Sequence, residues 1–283
     1  MDLGVAIFPT AYTIRPDDFA RACEERGFES VWFPEHTHIP ASRQTPYPAG
    51  GELPPEYWSA HDPFVALMAA AAVTKTIKLA TGICLVVERD PITTAKTVAS
   101  LDVLSGGRVL FGIGAGWNVE EMANHGTDFR RRWTLLRERI LAMKQIWTQE
   151  AAEFHGKLVD FDPLWSLPKP VQKPHPPIIL GSASRKSLDR VVEYCDGWVP
   201  IGLAMRDLPG AIRQLHEKAQ AAGRDPKSIE LSLFWAPGDG DVLRSFRDMG
   251  ISRAVLAVPP APPAKVMALL DTYAPLVAEL SAA

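Results

Sequence analysis

"LGVAIFPTAYTIRPDDFARACEERGFESVWFPE", residues 3–35, contains one full period of the pattern on which the fold rests. Its first six residues are an apolar run of strand type. Residues 15–28 read as a helix: Pro16 opens it with a preset backbone angle, Asp17 and Asp18 suit its positive end, and Gly27 stops it. "SVWFPE" then returns to strand character within a few residues. Strand, helix, strand in so short a span is the grammar of a βαβ unit in a parallel sheet.

The same grammar repeats outward along the chain. Residues 62–74 and 90–107 are helices that each begin with an acid and a proline, and residues 77–85 and 108–116 are the third and fourth strands. A long helix over 129–147 carries Phe129, Trp133, Leu136, Ile140, Met143 and Trp147 at helical spacing, a stripe read as core. Strands five to eight fall at 176–182, 196–202, 229–235 and 253–259, and helices follow at 186–195, 208–222, 241–249 and 264–280. Eight strands in strict alternation with eight helices are the count of a (β/α)8 TIM barrel, and one barrel domain over residues 1–283 is expected. An open doubly wound sheet normally uses fewer units.

Two stretches interrupt the rhythm. Residues 37–61, after strand two, hold five prolines and two glycines, and residues 153–177, before strand five, show no strong period. Long connections of this kind are usually lids or binding loops, so both are expected at the catalytic face.

Composition excludes several classes of function. The 283 residues carry a formal net charge of −3, and the longest basic run is the triplet Arg130–Arg132, so no footprint for nucleic acid is present. Three cysteines, Cys23, Cys84 and Cys195, lie far apart without CxxC spacing, which indicates neither a disulfide framework nor a zinc site. No basic leader precedes an apolar stretch, and the longest apolar run, 64–73, is too short to span a bilayer. A soluble, unprocessed cytoplasmic protein is the expectation.

"VWFPEHTHIP", residues 31–40, ends the second strand in Glu35, His36 and, two positions on, His38. A His-x-His pair can ligate zinc, but three or four convergent ligands are needed and no other histidine closes a strand, so no metal is expected. Adjacent ionisable residues at the carboxyl end of a barrel strand read as chemistry, and histidine exchanges protons near neutral pH. Glu35 and His36 are therefore the catalytic candidates, and His38 reads as a solvated strand end. Gly112, Gly114 and Gly116 in "GIGAGW" lack the spacing and the strand position of a dinucleotide fingerprint; they let the backbone pass close to a flat ligand or permit tight turns. Gly181, Ser182, Ala183 and Ser184 lie between strand five and a helix whose first-turn amides form a ready anion site, with Ser184 as a helix cap the alternative.

Three stretches taken together, "GFESVWFPEHTHIP", "LATGICLVVERDPITTAKTVASLDVLSGGRVLFGIGAGWNVEEM" and "PKPVQKPHPPIILGSASRKSLDRVVEYCDGWVP", resemble the luciferase-like monooxygenase superfamily, in particular its oxidoreductases dependent on the deazaflavin coenzyme F420. The likeness runs from Leu3 to about Ile201. It implies that His36 sits beside an isoalloxazine-type ring as proton donor or charge stabiliser, with Glu35 as its partner. It also implies a non-prolyl cis peptide at Gly82 and Ile83 behind the ring, glycines 112, 114 and 116 along the ribityl chain, and Gly181 to Ser184 around the phosphate. The resemblance further implies hydride exchange with a small-molecule substrate, an FMN-dependent monooxygenase or a non-catalytic cofactor-binding barrel as the alternatives, and frequent homodimers.

Overall fold

The computed structural model describes residues 1–201 and 206–281, so the last residue of the sixth expected strand, Gly202, lies outside the described residues. In chain order the strands are β1 (Asp2–Ala6), β2 (Ser30–Phe33), β3 (Lys78–Thr81), β4 (Cys84–Leu85), β5 (Val109–Gly114), β6 (Ala152–His155), β7 (Asp160–Leu164), β8 (Ile178–Leu180), β9 (Gly197–Trp198), β10 (Glu230–Ala236) and β11 (Arg253–Ala257). The helices are α1 (Pro16–Glu25), α2 (Glu56–Ser59), α3 (Pro63–Val73), α4 (Pro91–Ser105), α5 (Val119–Asn124), α6 (Arg132–Thr148), α7 (Leu188–Tyr194), α8 (Leu208–Ala221), α9 (Gly240–Asp248) and α10 (Pro263–Ser281).

Proline starts α1, α3 and α4, where its missing N–H costs nothing. Asp62 caps α3 by accepting from the amides of Phe64 and Val65 at 2.9 and 3.0 Å, and Asp90 caps α4 through Thr93 at 2.8 Å. These local signals fix where each helix begins, and hence where each strand must end.

All barrel pairings are parallel. The ring runs β1–β2–β3–β5–β8–β9–β10–β11 and closes where β11 lies beside β1, Gly4 opposite Val255. β4 continues the third stave after an interruption at Gly82–Ile83, so eight staves form a closed TIM barrel.

The core has two layers. Inside the lumen, Ala6, Trp32, Ala80, Leu110, Ile179, Val199, Phe234 and Val255 supply one side chain from each stave or from the residue that ends it. Trp32 fills most of that space, edge-on to Phe234 with centroids 6.0 Å apart, which is why its neighbours Ala6 and Ala80 are small. The larger layer lies between the staves and the helices and takes in the apolar stripe of α6, including Leu136, Ile140, Met143 and Trp147.

At the amino end of the barrel Arg253, 2% exposed, closes the lumen. It donates to Glu29 at 2.6 and 2.8 Å, to Ser232 at 3.2 Å, and to Glu230.

The two insertions lie in different places. Residues 37–61 cover the carboxyl end, as expected, and include α2. Residues 153–177 do not reach that face, which corrects the expectation. A connection from helix to strand must arrive at the strand's amino end, and here it does: Gln172 donates to the carbonyl of Val109, the first residue of β5, at 2.8 Å. The segment also contains a hairpin, β6 with β7, pinned to α6 where Glu138 accepts from the amides of Leu158 and Val159 at 2.7 and 3.0 Å. Among the described residues no helix is long and apolar enough to cross a membrane.

Candidate active site

A cavity of about 290 Å³ opens at the carboxyl end of the staves. Its floor is the Gly82–Ile83 segment, joined by a cis peptide bond at the position the resemblance implies. Glu35, His36, Gly116, Gly181, Ser182 and Ala183 are further lining residues. Of the residues expected at the site, Gly112, Gly114 and Ser184 do not line this cavity.

The two glycines serve a different purpose. A Cβ on Gly114 would stand 1.7 Å from Ile83 Cδ1, and one on Gly112 would stand 2.0 Å from the carbonyl oxygen of Thr81. Thr81 Oγ1 also donates to the Gly112 carbonyl at 2.7 Å. Their missing side chains make room for the interrupted third stave, whose Ile83 then forms the floor. They support the site from below, in place of the lining role expected for them.

Glu35 is buried and fully engaged. It accepts from the Leu85 amide at 2.6 Å and pairs with Arg89, which also pairs with Asp62 at the start of α3. The acid at the end of β2 thus anchors the chain just beyond the Gly82–Ile83 floor. It is not the partner of His36.

That partner is Glu121, in the first turns of α5. His36 Nδ1 lies 2.7 Å from Glu121 Oε2, and the two side chains are 7% and 1% exposed. Asn118 caps α5 by accepting from the Glu121 amide at 3.3 Å, which fixes the helix start. With Nδ1 donating to the carboxylate, Nε2 is the ring nitrogen left for a ligand. Tyr57 and Trp117 pack on the imidazole with centroids 5.1 and 5.8 Å away and keep water from it.

A second buried acid stands behind the pair. Both carboxyl oxygens of Glu88, and Oε1 of Glu121, have no hydrogen-bond partner among the described residues. Burial, then the negative charges of Glu121 and Glu35, push the Glu88 carboxyl up to about 9, so it is protonated at neutral pH. His38 faces away from the cavity: its Nε2 meets Asn124 at 2.9 Å, and Thr37 links its Nδ1 to His125.

The loop expected to hold a phosphate runs from Gly181 to Ser184 at the end of β8. Ser184 precedes the 3-10 turn at Arg185–Ser187; its hydroxyl caps no amide there, while its carbonyl accepts from the Ser187 amide at 2.8 Å, which leaves the Arg185 and Lys186 amides. Ser182 is held by Ser187 at 2.7 Å and by Trp198, which donates to its carbonyl at 2.8 Å. An apolar cavity with one acid–base edge and an uncapped small-residue loop fits a flat ring bearing a phosphorylated chain.

Sequence reasoning missed Glu121 as a partner, and it missed Tyr57, Trp133, Phe234 and Trp235 as lining residues. Phe8 and Trp117 also line the cavity, whereas Trp32 and Trp198 are core and Trp58 is exposed.

Comparison with known proteins agrees with this architecture. The family described as luciferase-like monooxygenase matches residues 15–237. An uncharacterized protein of Mycobacterium tuberculosis is 41% identical over 265 residues, 92% of each chain. The F420-dependent hydroxymycolic acid dehydrogenase of the same organism is 30% identical, over 78% of this chain and 58% of its own. An FMNH2-dependent dimethylsulfone monooxygenase of Pseudomonas putida is 31% identical over 48% of this chain and 39% of its own. The crystal structure of monooxygenase RslO1 from Streptomyces bottropensis superposes with a TM-score of 0.81 at 20% identity, covering 99% of this chain and all of that one, a likeness of fold. Two of these relatives are dependent on F420 and on FMNH2 respectively, and this chain is an oxidoreductase that belongs to the luciferase-like monooxygenase family.

Proposed function

We propose that this protein transfers a hydride between coenzyme F420 and a small organic substrate, with His36 exchanging the accompanying proton. The observation that carries the reading is the buried His36–Glu121 pair on the wall of an apolar cavity floored by Gly82 and Ile83. Bound F420 supplies a ring carbon that takes or gives a hydride and does not activate oxygen. His36 Nε2 takes the hydroxyl proton when a carbinol loses its hydride and becomes a carbonyl, and returns it in the reverse direction. Glu121 holds the imidazole in the tautomer that can do this and balances the charge when it is protonated. Gly181, Ser182 and Ala183, with the amides that follow Ser184, hold the phosphate.

F420 is favoured over FMN because the F420-dependent relative aligns over 78% of this chain and the FMNH2-dependent one over 48%. The reading includes a homodimer, supported by apolar side chains left in solvent such as Trp165 at 83% and Leu167 at 68% exposure. Light scattering at twice 31.0 kDa checks it.

The test is a pair of titrations of the protein with oxidised F420 and with FMN, followed by tryptophan fluorescence. Tight, saturable F420 binding with weak FMN binding is expected. The reverse preference moves the function to monooxygenation, and binding of neither overturns the phosphate loop. His36→Ala is expected to keep cofactor binding and lose turnover.

A further inference from the structure

A second cavity, of about 190 Å³, adjoins the first at the ends of β1 and β11. Buried Ile7 and Val258 form its inner side, exposed Ala257 and Pro259 stand at its open edge, and Tyr47 and Glu56 of the insertion over 37–61 complete its lining. Phe8, Pro34, Tyr57 and Trp235 belong to both cavities.

Trp235 is placed at this boundary by an irregular backbone. Strand β10 alternates inward and outward, and Phe234 points into the lumen, so a regular strand would send residue 235 toward the helix layer. Instead the register slips between Phe234 and Ala236, and Trp235 takes φ +54°, a left-handed conformation that large side chains rarely adopt. The indole, stacked on Phe234 at 5.7 Å, thereby becomes a wall of both cavities. Backbone of this kind is retained mainly where a site requires it.

The chemistry of the walls is equally specific. Among the described residues neither cavity is lined by a lysine or arginine. The polar atoms of the second are the Glu56 carboxyl at its cover and the hydroxyls of Tyr47 and Tyr57, which bond each other at 3.1 Å. A phosphate or carboxylate has no counter-charge here, whereas a hydrocarbon chain meets apolar walls.

We infer that the second cavity is the subsite for an apolar substrate tail, so that the substrate is an uncharged molecule carrying a hydrocarbon chain. The inference rests on the proposed function: a first cavity of about 290 Å³ is at the small end of ligand sites and is filled by the cofactor ring, which leaves the adjoining space for the chain. The reacting carbon lies beside His36, and the chain passes Phe8 and Trp235 toward Val258. If a methylene occupies about the room of a water molecule, about 30 Å³, roughly six of them fit.

Binding of the unbranched primary alcohols from ethanol to decanol, followed by tryptophan fluorescence, tests this. With cofactor-loaded protein, affinity is expected to rise about fourfold per added methylene and to level off once the cavity is full. 6-Hydroxyhexanoate, whose carboxylate would enter the second cavity at the far end of the chain, is expected to bind at least roughly tenfold more weakly than hexanol, since its charge has no partner there. Ala257→Trp, which fills the second cavity from a partly open position, is expected to stop the rise several carbons earlier while cofactor affinity stays the same. Trp235→Gly suits the left-handed backbone, joins the two cavities, and moves the break to longer chains. A series with no chain-length dependence, equal binding of 6-hydroxyhexanoate, or a break unmoved by both variants overturns the inference. Failure of the cofactor reading is separable: F420 then does not bind, while the alcohol series with the cofactor-free protein and its Ala257→Trp variant still reports on the second cavity.

Discussion

His36 and Glu121 lie 85 positions apart in the chain and meet at 2.7 Å in a site that water barely reaches. The first ends a barrel stave and the second begins a helix after another, so only the closed ring brings them together. Glu121→Gln keeps the shape and removes the charge that holds Nδ1–H. Turnover is expected to fall by about 10²- to 10⁴-fold, with substrate affinity little changed. Nitrogen NMR of the His36 ring checks the cause without a substrate: one protonated Nδ1 in the parent protein, a mixture of tautomers in the variant.

Gly114 and Ile83 form a testable couple. Gly114→Ala is expected to cost about 1–3 kcal/mol of stability and to weaken cofactor binding, because the new methyl group displaces the side chain that forms the floor. Ile83→Val removes the Cδ1 that it strikes. The double variant should therefore melt higher than Gly114→Ala alone; simple additivity of the two losses would contradict the contact.

Glu88 predicts a pH dependence of stability. Its carboxyl is protonated in the folded protein up to about 9 and ionised in the unfolded chain above the ordinary 4.5. The folded state thus binds the extra proton, and stability falls as pH rises between those values, by on the order of a few kcal/mol. Arg89, Arg139 and His125 are the basic groups nearby and offset only part of the cost. Glu88→Gln should flatten the denaturant midpoint between pH 5 and 9, and a parallel slope in parent and variant would contradict the assignment.

Arg253 predicts a slope of opposite sign at low pH. Burial works against ionisation of Glu29, but the Arg253 guanidinium, with help from Lys78, holds its carboxyl down to about 2. The contribution of this pair is complete above 4.5 and is lost as pH falls toward 2. Arg253→Met leaves Glu230 without its guanidinium and Glu29 with Lys78 alone at the closed end of the lumen, and should cost about 3 kcal/mol at neutral pH and less near pH 2.

The barrel was legible because its punctuation is local. Proline with an aspartate before or after it opened α1, α3 and α4 where expected, and each of the eight expected strands matches a stave of the ring. The hairpin β6–β7 escaped notice because β7 half-buries only Phe161 and Leu164, three positions apart, a spacing that shows no strand alternation. Glu35 and His36 were identified as a pair because they are neighbours in sequence, yet side chains of adjacent strand residues diverge. One turned to Arg89 and the other to Glu121. The role of Trp235 depends on a register slip between two strands, which no single segment records.

The helix α5 ties two events together. Glu120 accepts from the amides of Gln44 and Thr45 at 2.9 and 3.1 Å and from the Thr45 hydroxyl at 2.6 Å, so it fastens the insertion that roofs the cavities. The next residue, Glu121, fastens His36. Consecutive residues of one short helix thus hold the cover of the cavities and the imidazole of His36, so the two hang from a single mount two peptide units long.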